Sequence, residues 1–345
     1  MSFFIGMIVN AALLSIPIGA SLGTMIAIKP FRNDIVPIAT LNDAIIQMTY
    51  CDATHEFHAF AENKNGVNFT INSNEILQEL DSTLCMTITE NENATYSSNS
   101  TVPAFSITWE YPFHVANASV PLNESKPLIH AFPQATLQDT ALPLTLIDLG
   151  ALYMDFSWTM GIGDANAPST SVLRLDAQQV NASVALDLYM DADKTKAGEG
   201  GKAAFEMIIF FANFGLQDPV GFGNASIFND RPSIVTTTKL NNVVYDLYAG
   251  QNADLTNVFS WVAETPVTDF SGDIGPLFNI ILNLSTMPGF ADLGVNIPSF
   301  NDYLGYVGFG TQVFNSEGHV TFFVPKLNID LRPFGGAITS PAASP

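Results

Sequence analysis

Short runs in which apolar and polar residues alternate recur along most of the chain. Residues 68–72 (NFTIN), 105–109 (FSITW), 153–158 (YMDFSW), 183–189 (SVALDLY), 205–211 (FEMIIFF), 258–262 (VFSWV) and 320–324 (VTFFV) are rich in β-branched and aromatic side chains and are separated by Gly, Pro, Asn and Asp. A period of two between such breakers predicts strands, and so many of them predict an all-β, two-sheet antiparallel sandwich. One stretch has another period. After Ser271 and Asp273, apolar residues fall at Ile274, Leu277, Phe278, Ile281 and Leu282, the i, i+3, i+4, i+7, i+8 stripe of a helix. One helix near 273–284, laid on the outside of the sandwich, is therefore expected. No repeat of fixed period is visible.

Composition narrows the class. Against 12 Lys+Arg stand 33 Asp+Glu, a net charge of −21 over 345 residues, and a field of that sign repels phosphate backbones. Nucleic acid is excluded as a partner. Only 13% of residues are charged while 47% are hydrophobic, so the chain folds around a large apolar core and makes its surface polar with Asn, Ser, Thr and attached sugar.

Residues 3–28 carry no charge and are long enough to cross a bilayer. Residues 1–28 are expected to be a signal peptide or membrane anchor, with Ile18-Gly19-Ala20 as a small-residue cleavage site. Lys29 and Arg32 on its flank would hold an anchored protein in the cytoplasm. Eight glycosylation triplets, beginning at Asn68, Asn93, Asn99, Asn117, Asn123, Asn181, Asn224 and Asn283, point instead to the exterior. The expected location is extracellular, secreted or tethered through the N-terminal segment, which is then the one route to a membrane. Residues 29–49 read as an N-terminal extension, 50–332 as the folded unit and 333–345 as a flexible tail with Pro341 and Pro345.

Cys51 and Cys85 are the two cysteines, and in an exported chain an even pair reads as one disulfide, with two buried free thiols as the alternative. His55, His58, His114, His130 and His319 make no paired ligand motif, so neither a metal nor another cofactor is expected.

Candidate chemistry lies in two strands that each hold one acid among apolar residues. Alternation over 205–211 sets Glu206, Ile208 and Phe210 on one face, and Phe205, Met207, Ile209 and Phe211 on the other. One face fills the core. Glu206 then sits on a semi-dry floor, where a carboxylate needs a partner or a task. Asp187 in 184–189 (VALDLY) is again a lone acid, sharing its face with Ala185 and Tyr189. Carboxyl pairs are the working parts of glycosidases, and those of retaining enzymes stand roughly 5 Å apart.

An ordered set of landmarks over residues 50–332 resembles glycoside hydrolase family 12, the endo-β-1,4-glucanases and xyloglucanases. Residues 185–189 (ALDLY) resemble the family's A-Y-D-L-F strand, and 205–209 (FEMII) its Y-E-I-M-I-W nucleophile strand. Residues 217–221 (QDPVG) resemble a G-P-I-G turn, 258–263 (VFSWVA) V-Y-S-F-V-A, 270–273 (FSGD) Y-S-G-D, and 303–311 (YLGYVGFGT) the closing Y-L-x-x-x-x-F-G-T-E strand. The resemblance implies a β-jelly roll whose concave sheet binds a β-glucan polysaccharide. It implies Glu206 as nucleophile, Asp187 as the acid that hydrogen-bonds it, a disulfide between Cys51 and Cys85, and a monomer.

The chain departs from the pattern where the family has its acid/base Glu after F-G-T. Here Gln312 follows, and an amide cannot donate a proton to a leaving alkoxide. The family's N-N-L-W-G segment corresponds to residues 73–77 (SNEIL), with Ile76 in place of a sugar-stacking Trp, and the Trp of the nucleophile strand becomes Phe210. Phe210, Ile208, Trp109, Trp158 and Tyr189 remain as groove-lining candidates, although each Trp and the Tyr also suit an inward core position. Three readings follow: a weakened retaining glucanase, a non-catalytic glucan-binding or decoy relative, and a structural glycoprotein without a sugar ligand.

Overall fold

Alternation along each strand decides which residues join the core. In β6 (Ala104–Glu110), Phe105, Ile107 and Trp109 are buried while Ser106 and Thr108 are half-buried, and β9 (Leu149–Ile162) repeats this with Leu152, Met154, Phe156, Trp158 and Met160. In a computed structural model the described residues are 45–51, 55–59, 68–77, 82–91, 101–112, 129–139, 141–215, 218–222, 234–287 and 290–334. The expected signal or anchor segment, residues 1–28, lies outside them.

Two sheets form the layers. The smaller runs β1 (Ile45–Tyr50), β4 (Thr83–Asn91), β6, β17 (Val320–Pro333), β9 and β15 (Asp269–Asp273), with β5 (Thr101–Val102) pairing beside β17. The larger runs β12 (Thr236–Leu240), β13 (Val243–Gln251), β14 (Asn257–Ala263), β11 (Phe205–Phe214), β10 (Asn181–Asp191), β16 (Tyr303–Asn315), β7 (Gln134–Gln138), β3 (Asn68–Asn72) and β2 (Glu56–Ala59), with β8 (Leu144–Thr145) beside β16. The sandwich is therefore as expected, and among the strand pairs of the described residues β11 and β14 depart from its antiparallel character by running parallel. Strand β1 begins ahead of residue 50, inside the stretch read as an extension.

The inner faces meet in one aromatic core. Phe156 packs edge-on against Phe211 with ring centroids 4.6 Å apart, and against Phe309 at 4.9 Å. Trp109 and Trp158 are 0% and 1% exposed in this layer, and Trp158 Nε1 donates to Val267 O at 2.9 Å. Both belong to the smaller sheet and face inward, so neither lines a groove. The groove-lining expectation for them is corrected to core.

The helical stripe forms α3 (Gly275–Leu282), which buries Leu277, Phe278, Ile281 and Leu282 and packs against β9 of the smaller sheet. Two shorter helices accompany it, α1 (Val172–Ala177) and α2 (Lys194–Ala197), where one helix was expected. The second links β10 to β11 and is capped by Asp193, whose carboxylate accepts from Thr195 N at 2.8 Å and Lys196 N at 3.4 Å. Those backbone donors hold the Asp193 carboxyl below the usual range.

A disulfide joins Cys51, just after β1, to Cys85 in β4, with Cα atoms 4.1 Å apart. Of the glycosylation triplets, Asn283 is exposed, whereas Asn181 is 8% and Ser183 1% exposed within inner strand β10. The triplet at Asn181 is closed to a glycan in the folded protein, and those at Asn93, Asn99, Asn117, Asn123 and Asn224 lie outside the described residues.

Candidate active site

The larger sheet turns Val184, Leu186, Leu188, Met207, Ile209 and Phe211 into the core, so their neighbours in β10 and β11 face away from it. Ala185, Ile208, Phe210 and Val258 pack there as a separate apolar cluster, with Val220 and Val262 against it. Cross-strand pairing orders this outer face into rows. One row runs Tyr248, Ser260, Ile208, Asp187, Gly308, Thr136, Thr70 and His58, from β13 to β2. A second, on one side, runs Val258, Glu206, Tyr189 and Tyr306. A third, on the other side, runs Val262, Phe210, Ala185, Gly310 and Gln134.

Asp187 and Glu206 meet where the first two rows adjoin. Asp187 is 2% exposed, and its Oδ2 accepts a 2.7 Å hydrogen bond from the Tyr189 hydroxyl. Its Oδ1 is buried and accepts no hydrogen bond, and the Glu206 carboxyl is a close hydrogen-bonding neighbour of Asp187. A proton held between the two carboxyls satisfies both, because like charges this close resist joint ionisation. Burial accordingly pushes the Asp187 carboxyl up to about 6, with the Tyr189 and Glu206 hydrogen bonds opposing the rise. Glu206 is held well above the carboxylate range by burial first, then by the Asp187 charge and hydrogen bond. The Tyr189 phenol is also raised, through burial and its two acidic neighbours.

Gln312 lies on the same face but further along. It pairs with Ser183, whereas Glu206 pairs with Tyr189, so six residues of β10 separate their levels. The Gln312 side chain is 8% exposed, and its Oε1 accepts from Ser183 Oγ at 3.0 Å. Between the two levels lie Asp187, Ala185, Gly308 and Gly310, and the space a side chain would take at the two glycines is filled by Gln134, joined by Tyr306 at Gly308 and Pro133 at Gly310. Ile208 and Phe210 flank it as the expected apolar floor, 6% and 8% exposed. Ile76 is 57% exposed in the turn after β3, where its N–H donates to His130 O at 2.7 Å.

Three groups beside Asp187 escaped the sequence reading. Tyr306 packs at a tilt against Tyr189 with ring centroids 4.9 Å apart, its hydroxyl lies 3.4 Å from Thr136 Oγ1, and it hydrogen-bonds Gln134. The signal was the glycine at 308: a Cβ there would fall 2.9 Å from the Tyr306 hydroxyl and against Gln134 Oε1. The tyrosine and the glutamine share the space a side chain would occupy. Among the described residues no group of three or more His, Cys, Asp or Glu could hold a metal ion.

The profile of Glycosyl hydrolase family 12 matches residues 162–332, a span that contains Asp187, Glu206 and Gln312. Over those residues the chain is similar to glycosyl hydrolase family 12. Among curated family relatives, it is 26% identical over 130 residues to the xyloglucan-specific endo-beta-1,4-glucanase A of Aspergillus niger, covering 38% of this chain and 48% of that protein. With the enzyme of the same name from Emericella nidulans it shares 27% over 153 residues, covering 44% and 54%. The chain spans about half the length of these relatives. Trichoderma harzianum endoglucanase 3, of family GH12, superposes with a TM-score of 0.57 at 20% identity, covering 85% of this chain and 100% of that one. The family 12 xyloglucanase of Bacillus licheniformis gives 0.55 at 14% identity, covering 83% and 100%. These likenesses establish the family's jelly-roll sandwich for this chain.

Proposed function

We propose that this chain is a secreted glycoside hydrolase acting on β-1,4-glucan, of cellulose or xyloglucan type, by retaining double displacement. The observation that carries the reading is the Glu206–Asp187 carboxyl pair on the outer face of the larger sheet, at positions that match the family's nucleophile strand and its neighbour. Glu206, ionised, attacks the anomeric carbon and forms a glycosyl ester; Asp187, protonated on Oδ1, holds the attacking carboxylate in place. Tyr189 fixes Asp187 from the other side. Phe210, Ile208 and Tyr189 are the sugar-facing floor. Residues 1–28 serve export or anchoring, and the folded unit acts as a monomer.

Gln312 occupies the acid/base position and weakens hydrolysis, since positioned acid catalysis contributes typically 10²–10⁴-fold. A second reading, a glucan-binding relative without catalysis, is favoured by the Ser183–Gln312 hydrogen bond, which ties the amide to the sheet. Reducing-sugar release from β-glucan and xyloglucan separates the two. The hydrolase reading expects slow release that Glu206→Gln removes; release unaffected by Glu206→Gln, or none from either protein, overturns it.

A further inference from the structure

One stripe of α3 faces a cleft. Gly275, Phe278, Asn279 and Leu282 fall at the i, i+3, i+4 and i+7 spacing that sets residues on one helix face, and all four line an open cavity of about 340 Å³. Its rim is apolar. Ile147 is 55%, Phe300 44% and Phe334 70% exposed there. Backbone bonds hold the rim in place, Ile147 N–H donating to Phe300 O and Phe334 N–H to Asp148 O, each at 2.8 Å. Three large apolar side chains fixed in water around one cleft form a surface that another group covers.

The same stripe ends on an acceptor for sugar. Asn283 follows Asn279 by one helical turn, and its Nδ2 donates to Asn279 O at 2.7 Å, which turns the side-chain amide back toward a residue that lines the cleft. Asn283, Leu284 and Ser285 make a glycosylation triplet. Asn283 and Ser285 are exposed, while the buried Leu284 between them anchors the turn. Among the triplets whose acceptor side chain is described, Asn181 is buried within β10, so Asn283 is the one with room for a glycan.

We propose, on the secreted reading above, that Asn283 carries an N-linked glycan whose first sugars lie over this cleft and cover its apolar rim. The donor is a polyisoprenyl-pyrophosphate-linked oligosaccharide of the secretory compartment. The Asn283 amide nitrogen bonds to the anomeric carbon of its first sugar, the bond from that carbon to the pyrophosphate oxygen breaks with its electron pair leaving on the oxygen, and one amide proton passes to solvent. The second amide N–H remains. It keeps the bond to Asn279 O, and so holds the sugar in line with the cleft-facing stripe. A pyranose has an apolar C–H face and a hydroxyl-bearing edge, so it shields Phe300 and Phe334 from water while staying solvated itself. Glu206 and Asp187 do not line the cleft, and the glycan leaves their face of the larger sheet open.

The test secretes the full chain from a eukaryotic host and compares it with Ser285→Ala, which removes the hydroxyl that the triplet requires and leaves the Asn283 amide in place. Peptide mass spectrometry should find sugar on Asn283 and none on Asn181 in the wild-type protein, and complete loss of the Asn283 sugar in Ser285→Ala. The variant should also gain fluorescence with anilinonaphthalene sulfonate, a dye for exposed apolar surface, and a further Ile147→Ser should reverse that gain. Ser285→Thr keeps a hydroxyl and should match wild type in both measurements. Secreted protein with a bare Asn283 overturns the assignment while leaving the export reading standing. Sugar on Asn283 with equal dye fluorescence in wild type and Ser285→Ala overturns the covering of the cleft. If the chain stays in the cytosol, the export reading falls and the assignment falls with it.

Discussion

The Tyr189 hydroxyl donates a 2.7 Å hydrogen bond to Asp187 Oδ2, two residues away on the same face of β10. That bond commits one oxygen of a buried carboxyl whose other oxygen accepts none. It stabilises the charged form of Asp187 and so opposes burial, which raises the carboxyl to about 6. Removing the hydroxyl by Tyr189→Phe raises it further. On the proposed hydrolase reading Glu206 acts ionised and Asp187 protonated, so activity falls as rising pH takes the shared proton. The alkaline limb of kcat/KM on an activated aryl cellobioside should therefore move to higher pH in Tyr189→Phe, by about one unit for a hydrogen bond to a charged group. An unmoved limb would separate this pair from the pH dependence.

The same two carboxyls link stability to pH. Both are raised in the folded protein, which therefore binds more protons than the unfolded chain above the ordinary carboxylate range. Their contribution is complete below about pH 4 and is lost as pH rises through the folded values, with Asp187 at about 6. Glu206→Gln removes one charge of the pair while keeping a hydrogen-bonding side chain. Denaturant midpoints measured from pH 4 to pH 7 should fall less steeply in this variant, and at pH 7 it should be more stable than wild type by on the order of 1–3 kcal/mol. A slope equal to that of wild type would mean that the carboxyls do not share a proton.

Restoring an acid at 312 tests the weakness attributed to the amide. Gln312→Glu keeps a side chain that can accept from Ser183 Oγ, the bond now 3.0 Å long, so little repacking follows. Polysaccharide hydrolysis should rise by about 10²-fold or more, while aryl glycosides with good leaving groups change little. A rate on xyloglucan that the substitution leaves unchanged would remove Gln312 from the catalytic account.

Much of this arrangement was legible in the sequence, for identifiable reasons. Period-two runs exposed the strands, the 274–282 stripe exposed α3, and a lone acid in each of two apolar strands exposed Asp187 and Glu206. What alternation cannot give is the identity of the layer a face meets. Trp109 and Trp158 alternate as well as any groove residue, yet their strands belong to the smaller sheet and face its partner. Tyr306, Thr136 and Gln134 needed the register of β16 against β7, a pairing of residues such as Gly308 and Thr136 that are far apart in the chain. The parallel pairing of β11 with β14 leaves no local mark, and α1, at six residues, is too short for a helical period to emerge.

The disulfide supplies the last prediction. Cys51 and Cys85 are 34 residues apart, and the bond fastens the end of β1 to β4, the strand beside it at the edge of the smaller sheet. Closing a loop of that size restricts the unfolded chain by about 3–4 kcal/mol. The site lies on the other sheet, on β10, β11 and β16, whose pairings do not involve β1 or β4. Replacing both cysteines by serine should then lower the unfolding free energy obtained from denaturant titration by an amount near that value. The kcat on an aryl cellobioside, measured well below the unfolding temperature, should stay within about two-fold, since no group that touches substrate has moved. A variant that keeps its stability but loses activity would connect β1 and β4 to the site in a way their place in the sheet does not provide.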